Sequence, residues 1–145
     1  MLQETKIARW GIKQWKDEAW KWFSIWVRLL HADGFGRVKC YTCTAILFWK
    51  GEGLQAGHFQ GGRNNSLLLD EKGVRPQCYA CNCCRGGEQY IFGKLLEAEI
   101  GEEEVMELRR KRTQTKKVSP KEWEELASHY QLEAVKIAVE KGLEI

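Results

Sequence analysis

What this 145-residue chain lacks narrows what it can be. No apolar stretch approaches the ~20 residues that span a bilayer, because Lys or Arg breaks the longest candidates, so no membrane partner is expected. The opening Met1-Leu2-Gln3-Glu4-Thr5-Lys6 leads into no signal-peptide hydrophobic run, which predicts a soluble protein in a reducing cytoplasm. A disulfide framework is a poor use of six cysteines there. Repeats, low-complexity tracts and long linkers are absent as well, so a single domain is expected over residues 1–145. Nor is there a large charge excess: a net charge of +3 falls below the strongly basic signature of many nucleic-acid binders. The charge is uneven, however, with nine Lys/Arg against four Asp/Glu in residues 1–50 and nine against ten in residues 101–145. Clustered bases of this kind are compatible with nucleic acid without requiring it.

Two Cys-x-x-Cys pairs, Cys40/Cys43 and Cys78/Cys81, bracket an isolated Ala56-Gly57-His58-Phe59 segment. Four thiolates arriving as two knuckles match the tetrahedral shell of a structural Zn²⁺, with no position left open for a substrate. Two unrelated pairs, or disulfides, are the blander alternative. Cys83 and Cys84 follow closely and read as ordinary packing thiols, Cys84 being the better ligand of the two.

Hydrophobic residues make up 43% of the chain and include seven Trp, enough for a core. Residues 5–31 read as a helix, since Trp15, Ala19, Trp22, Phe23, Trp26, Leu29 and Leu30 recur at three- and four-residue intervals. Its opposite face carries Lys13, Lys16, Asp17, Lys21 and Arg28, a solvated stripe or a surface for phosphates. The tryptophans read as core anchors rather than base-stacking platforms. Strands are expected over residues 38–41 and 45–49, then a turn at Lys50-Gly51-Glu52-Gly53 and a returning strand that ends on His58. Residues 74–77 deliver the second knuckle, and Cys81 opens a short helix that resumes as an apolar-faced one after Gly86-Gly87. Residues 102–112 place acids first and bases last, as the helix dipole favours. Ser119-Pro120-Lys121-Glu122 is a capping box ahead of a final helix.

A lone histidine on a strand is usually structural, but the zinc pins the strand of His58 against the helix that starts with Cys81-Asn82. A histidine base facing an oxygen ligand is what single-metal phosphodiester hydrolysis requires. This order of knuckle, histidine, knuckle and asparagine resembles the zinc-stabilised HNH/His-Me finger (ββα-metal) endonucleases, and in site layout endonuclease VII. Phe23-Ser24-Ile25-Trp26-Val27-Arg28-Leu29, Ala56-Gly57-His58-Phe59 and Gln77-Cys78-x-x-Cys81-Asn82 are similar to the phage NinG/Rap recombination nucleases.

The resemblance implies an α+β fold, with a small ββα-metal core and four-cysteine structural zinc flanked by N-terminal and C-terminal helices. Its parts would be a Trp-rich helix over residues 1–33, the zinc-stapled nuclease core over 36–100, and helices with a basic run over 101–145. It implies His58 as general base and Asn82 as ligand of a catalytic Mg²⁺ or Mn²⁺. Many relatives place an acid or histidine before the catalytic His, where Gly57 stands, which leaves Gln55, Asp70 or Glu88 as the second ligand. The asparagine that precedes the last knuckle in such enzymes is also missing, so Asn64 or Asn65 is the candidate to orient His58. Arg63, Arg75 and Arg85 flank the site as phosphate contacts or as solvated surface residues. The run Arg109, Arg110, Lys111, Arg112 would grip backbone outside the cut site.

The expected function is that of a metal-dependent endodeoxyribonuclease, phage-type by resemblance, acting on branched recombination DNA such as Holliday junctions in a bacterial host cytoplasm. A homodimer is compatible with this. A non-catalytic zinc-ribbon DNA-binding module is the main rival, and a zinc-stapled protein adaptor is a third reading.

Overall fold

A computed structural model describes residues 9–61 and 64–145. In chain order the elements are α1 (Ile12–Leu30), β1 (Arg37–Lys39), β2 (Ile46–Phe48), β3 (Leu54–His58), β4 (Val74–Cys78), a π-helical turn (Ala80–Cys84), α2 (Gln89–Ile100), α3 (Glu102–Lys111) and α4 (Pro120–Lys141). The fold is mixed, with helices around two small antiparallel ribbons. No helix among the described residues is long and apolar enough to cross a membrane.

Helix α1 starts at Ile12, where extended Gly11 precedes it and the Gly11 N–H donates to Gln14 Oε1 at 3.1 Å. Residues 5–8 of the expected helix lie outside the described residues. Ala19, Phe23, Val27 and Leu29 form its buried stripe, at the spacing an amphipathic helix requires. Helix α4 lies along α1, started by Ser119 Oγ, which accepts the Glu122 N–H at 3.1 Å with Pro120 at the first helical position. It buries Trp123, Ala127, Tyr130, Ala134 and Ala138, and Tyr130 meets Phe23 edge-on at 4.8 Å between ring centroids. Lys141 closes the pair by donating to the carbonyls of Leu29, Leu30 and Ala32 at 2.7, 3.0 and 2.6 Å, which satisfies and neutralises the C-terminal end of α1.

The strands pair differently from the expected hairpin. β2 pairs with β1, Val38 opposite Leu47, whereas β3 pairs with β4, Leu54 opposite Cys78 and His58 opposite Val74. The first knuckle is itself the tight turn of the β1–β2 ribbon, since the Cys40 N–H donates to the Ala45 carbonyl at 2.8 Å. The glycine turn at residues 51–53 therefore only redirects the chain into β3. β4 then runs into the second knuckle. Positive φ at Gly86, Gly87 and Glu88 separates the π-helical turn from α2. Behind β3, Phe59, Leu67, Phe92, Leu96, Val105 and Leu108 form a second core that seats α2 and α3.

Candidate functional site

The Sγ atoms of Cys40, Cys43, Cys78 and Cys81 all lie within 4.8 Å of one another. Cys43 and Cys78 are 3.7 Å apart at sulfur, close to the ~3.8 Å between two sulfurs each ~2.3 Å from a tetrahedral zinc. Backbone N–H groups converge on them: Cys78 N on Cys40 Sγ at 3.2 Å, Ala45 N on Cys43 Sγ at 3.4 Å and Cys81 N on Cys78 Sγ at 3.4 Å. Burial opposes ionisation of Cys40, yet the N–H groups of Cys78 and Thr42 draw its thiol down to about 6. Cys43 is pushed up to about 12, because the Ala45 N–H is outweighed by burial and by the neighbouring thiols. Four thiolates this close coexist only around a cation, and the all-sulfur donor set suits zinc. Cys83 and Cys84 are exposed and stand outside the cluster.

His58, at the end of β3, and Asn82, on the π-helical turn, line one cleft of about 280 Å³. The His58 Nε2 is 3.0 Å from the Leu68 carbonyl oxygen. A carbonyl only accepts, so Nε2 carries the hydrogen, an arrangement that in a neutral imidazole puts the lone pair on Nδ1. The indole of Trp20 stacks on the imidazole at 5.0 Å and 22° and fixes its plane. Neither candidate asparagine does this work. Asn64 Nδ2 donates to the carbonyls of Lys111, Arg112 and Gln114, and Asn65 Nδ2 to that of Lys116, so both fasten this loop to the segment after α3.

Gly57 has a packing cause. A Cβ there would lie 1.9 Å from Oε1 of Gln77, a fully buried side chain whose Nε2 donates to Thr42 Oγ1 and the Gly87 carbonyl at 3.0 and 2.9 Å. The space an acidic ligand would fill is taken. Asp70 is held by Lys111 Nζ at 2.6 Å, and no carboxylate lines the His58 cleft among the described residues. The Gln55 Oε1 accepts from Asn82 Nδ2 at 2.7 Å and from Cys83 Sγ at 3.2 Å. The described lining of this cleft thus offers a hard divalent cation the amide oxygen of Asn82 and no carboxylate.

The basic residues divide. Arg75 is a correction: it is 6% exposed, donates to the Glu71 and Val74 carbonyls at 2.9 and 2.8 Å and meets Glu99 at 3.3 Å, so it serves packing rather than phosphate. Arg85 directs a guanidinium nitrogen to Cys81 Sγ at 3.5 Å, beside the thiolate cluster. Arg63 lies outside the described residues. Arg110 pairs with Glu107 at 2.7 Å and Lys111 with Asp70, whereas Arg109 and Arg112 line a second cleft of about 530 Å³ that shares Gly61, Gly86 and Gln89 with the first. A third, of about 460 Å³, shares Trp20, Ala56 and Asn82 with the first and is lined by Lys50, Glu52 and Arg28, the last donating to the Ser24 and Trp49 carbonyls at 3.1 and 2.8 Å. Through these shared residues the three clefts adjoin as a groove, with Arg109 and Arg112 in one outer cleft, Lys50 and Glu52 in the other, and His58 and Asn82 in the cleft between. The Leu68 carbonyl and Trp20 escaped the sequence reading, since a backbone acceptor leaves no residue signature, whereas Gln55, a candidate ligand there, is bonded to Asn82 and Cys83.

The bacteriophage lambda NinG protein family matches residues 2–140. The chain belongs to that family. No curated protein and no solved structure matched it significantly. Within this NinG family member, the two knuckles, His58 and Asn82 all fall inside the matched span.

Proposed function

We propose that this NinG-family protein is a metal-dependent HNH/His-Me-type endodeoxyribonuclease acting on branched recombination DNA in the phage-infected cell. The observation that carries the reading is the shared cleft of His58 and Asn82, in which the Leu68 carbonyl sets the histidine tautomer. Nδ1 of His58 takes a proton from water as the water oxygen attacks phosphorus and the bond to the leaving 3′ oxygen breaks. Trp20 and Leu68 hold the ring so that Nδ1 meets the water without reorganisation. Asn82 Oδ1 would hold Mg²⁺ or Mn²⁺, whose charge stabilises the phosphoanion when bound. The groove supports a nucleic-acid substrate, since Arg109 and Arg112 on one side and Lys50 on the other suit phosphates flanking the central cleft.

A second reading has its own observation. The absence of a carboxylate among the described residues lining the cleft favours a zinc-stapled DNA-binding module without hydrolysis. Incubation of the protein with linear and four-way-junction DNA, with Mg²⁺, Mn²⁺ or EDTA, separates the two. Junction cleavage that needs the cation and falls ~10²- to 10⁴-fold in His58→Ala, at unchanged zinc content and DNA affinity, is expected of the nuclease. Binding with no cleavage under either cation establishes the module.

A further inference from the structure

We infer that Tyr90 stacks on an unpaired base and so selects branched or frayed DNA over continuous duplex, an inference that rests on the groove being a nucleic-acid site but not on a metal or on hydrolysis. Tyr90 is 78% exposed in the first turn of α2, whereas Phe92, two residues on, is fully buried in the core behind β3. Two positions on a helix differ by about 200°, so the turn that buries Phe92 holds the Tyr90 ring out into solvent. That ring joins no core cluster among the described residues, and the Lys94 ammonium stands 5.8 Å from its centroid.

A single exposed aromatic is ordinary surface, and its surroundings set this one apart. Tyr90 lines the cleft of about 530 Å³ together with Arg109 and Arg112, and no Asp or Glu is among the described residues that line it. The Arg109 guanidinium lies 5.4 Å over the Phe59 ring and 4.0 Å from Glu97, so it is held in place within the cleft. Toward the His58 cleft the shared lining includes Gly61 and Gly86, where an added Cβ would meet nothing within 4 Å, so a strand can pass close over bare backbone. The position of the ring is also fixed. The Gly87 N–H donates to the Cys81 carbonyl at 2.8 Å and the Gly87 carbonyl accepts from Gln77 Nε2 at 2.9 Å, which ties the start of α2 to the second knuckle.

Arginines hold phosphates whatever the bases do, but a phenol ring needs the open face of a base. In continuous duplex each base is covered by its neighbours; at a branch point, flap or frayed end one is not. Base–aromatic stacking tolerates any sequence, so Tyr90 would read the structure of the DNA and not its sequence.

Equilibrium titrations of the zinc-loaded full-length protein, without Mg²⁺ or Mn²⁺ so that nothing is cut, read the affinity for a linear duplex, a single strand and a four-way junction. The junction carries 2-aminopurine at its branch point, where stacking quenches the fluorescence. Tyr90→Ala should weaken single-strand and junction binding about five- to 150-fold, abolish the quenching and leave duplex binding and thermal stability unchanged, whereas Tyr90→Phe, which keeps the ring, should stay within about twofold of wild type. Equal loss on duplex and junction, or equal loss in the two variants, overturns the stacking role. Unchanged binding in Tyr90→Ala also overturns it, and a loss in Arg112→Gln at the same time keeps the groove as the DNA site. If the wild type binds none of the three DNAs, the nucleic-acid reading falls and the inference with it.

Discussion

The two halves of the molecule are held together by different means. The α1–α4 pair rests on aromatic and aliphatic packing, in which Phe23, Tyr130 and Trp123 are all nearly inaccessible. The knuckles themselves have almost no such core: among the described residues, Cys43, Ala45, Leu47 and Ala80 are what gather around Cys40, Cys78 and Cys81. β1 and β2 have three residues each, too few to stand without support. The helical pair thus rests on burial and the knuckles on coordination, and the candidate site lies on their seam, with His58 stacked on Trp20 from the helical side and Asn82 next to Cys81 of the sulfur cluster.

The comparison is broken most severely by Cys78→Ser or by stripping zinc with a chelator. A structural zinc in a small finger contributes an apparent ~10–16 kcal/mol, which no contact in the ribbon half can replace. The ribbon half should lose its fixed structure and the protein its zinc, while most of the far-UV helical signal persists because α1 and α4 do not touch the metal. Complete loss of helical signal in the zinc-free protein would show that the halves are one cooperative unit, and retention of native ribbon resonances would remove the clamp assignment.

The reciprocal change is Phe23→Ala. Phe23 is fully buried between Trp20, Trp26 and Tyr130, and truncation of a buried phenylalanine costs about 3–5 kcal/mol. Thermal melting should fall sharply with zinc still bound at one per chain. If zinc is released at the same temperature as the helices melt in both variants, the division into two modes of stabilisation fails.

How far this arrangement was legible in the chain follows from the same physics. The helices could be read because their burial is periodic: the Trp-rich stripe of α1, the Ser119 cap and the acid-to-base polarity of α3 are local signals. The sulfur cluster could be read because metal geometry constrains spacing. Strand pairing could not, since short strands carry little register information and the knuckle took the place of an ordinary turn. Arg75 looked like any arginine beside a site, and only the fold shows it under Glu71 and Glu99. Gly57 looked like a missing ligand until Gln77 was seen to occupy its space. The orientation of His58 depends on a backbone carbonyl and on a tryptophan 38 positions earlier in the chain, and neither contact can be read from adjacent residues.

The smallest expected effect sharpens the comparison on the basic run, where neighbours in sequence belong to different structures. Lys111 is bound inward, its Nζ at 2.6 Å from Asp70, while its own carbonyl accepts from Ser66 Oγ at 2.8 Å. Arg112 is exposed and lines the cleft beside the site. A phosphate contact releases condensed counterions, so each one lost should reduce the slope of log affinity against log salt by about 0.9 on B-DNA. Arg112→Gln should produce that reduction, weaken linear and junction DNA alike and leave thermal stability unchanged. Lys111→Gln should do the reverse, preserving the slope and lowering stability, because it leaves the nearly buried Asp70 carboxylate without its cation. Equal slopes for Arg112→Gln and wild type would place nucleic acid elsewhere than along the groove. A reduced slope for Lys111→Gln would mean that DNA draws Lys111 away from Asp70, and that the inward pair is a resting arrangement of the unbound protein.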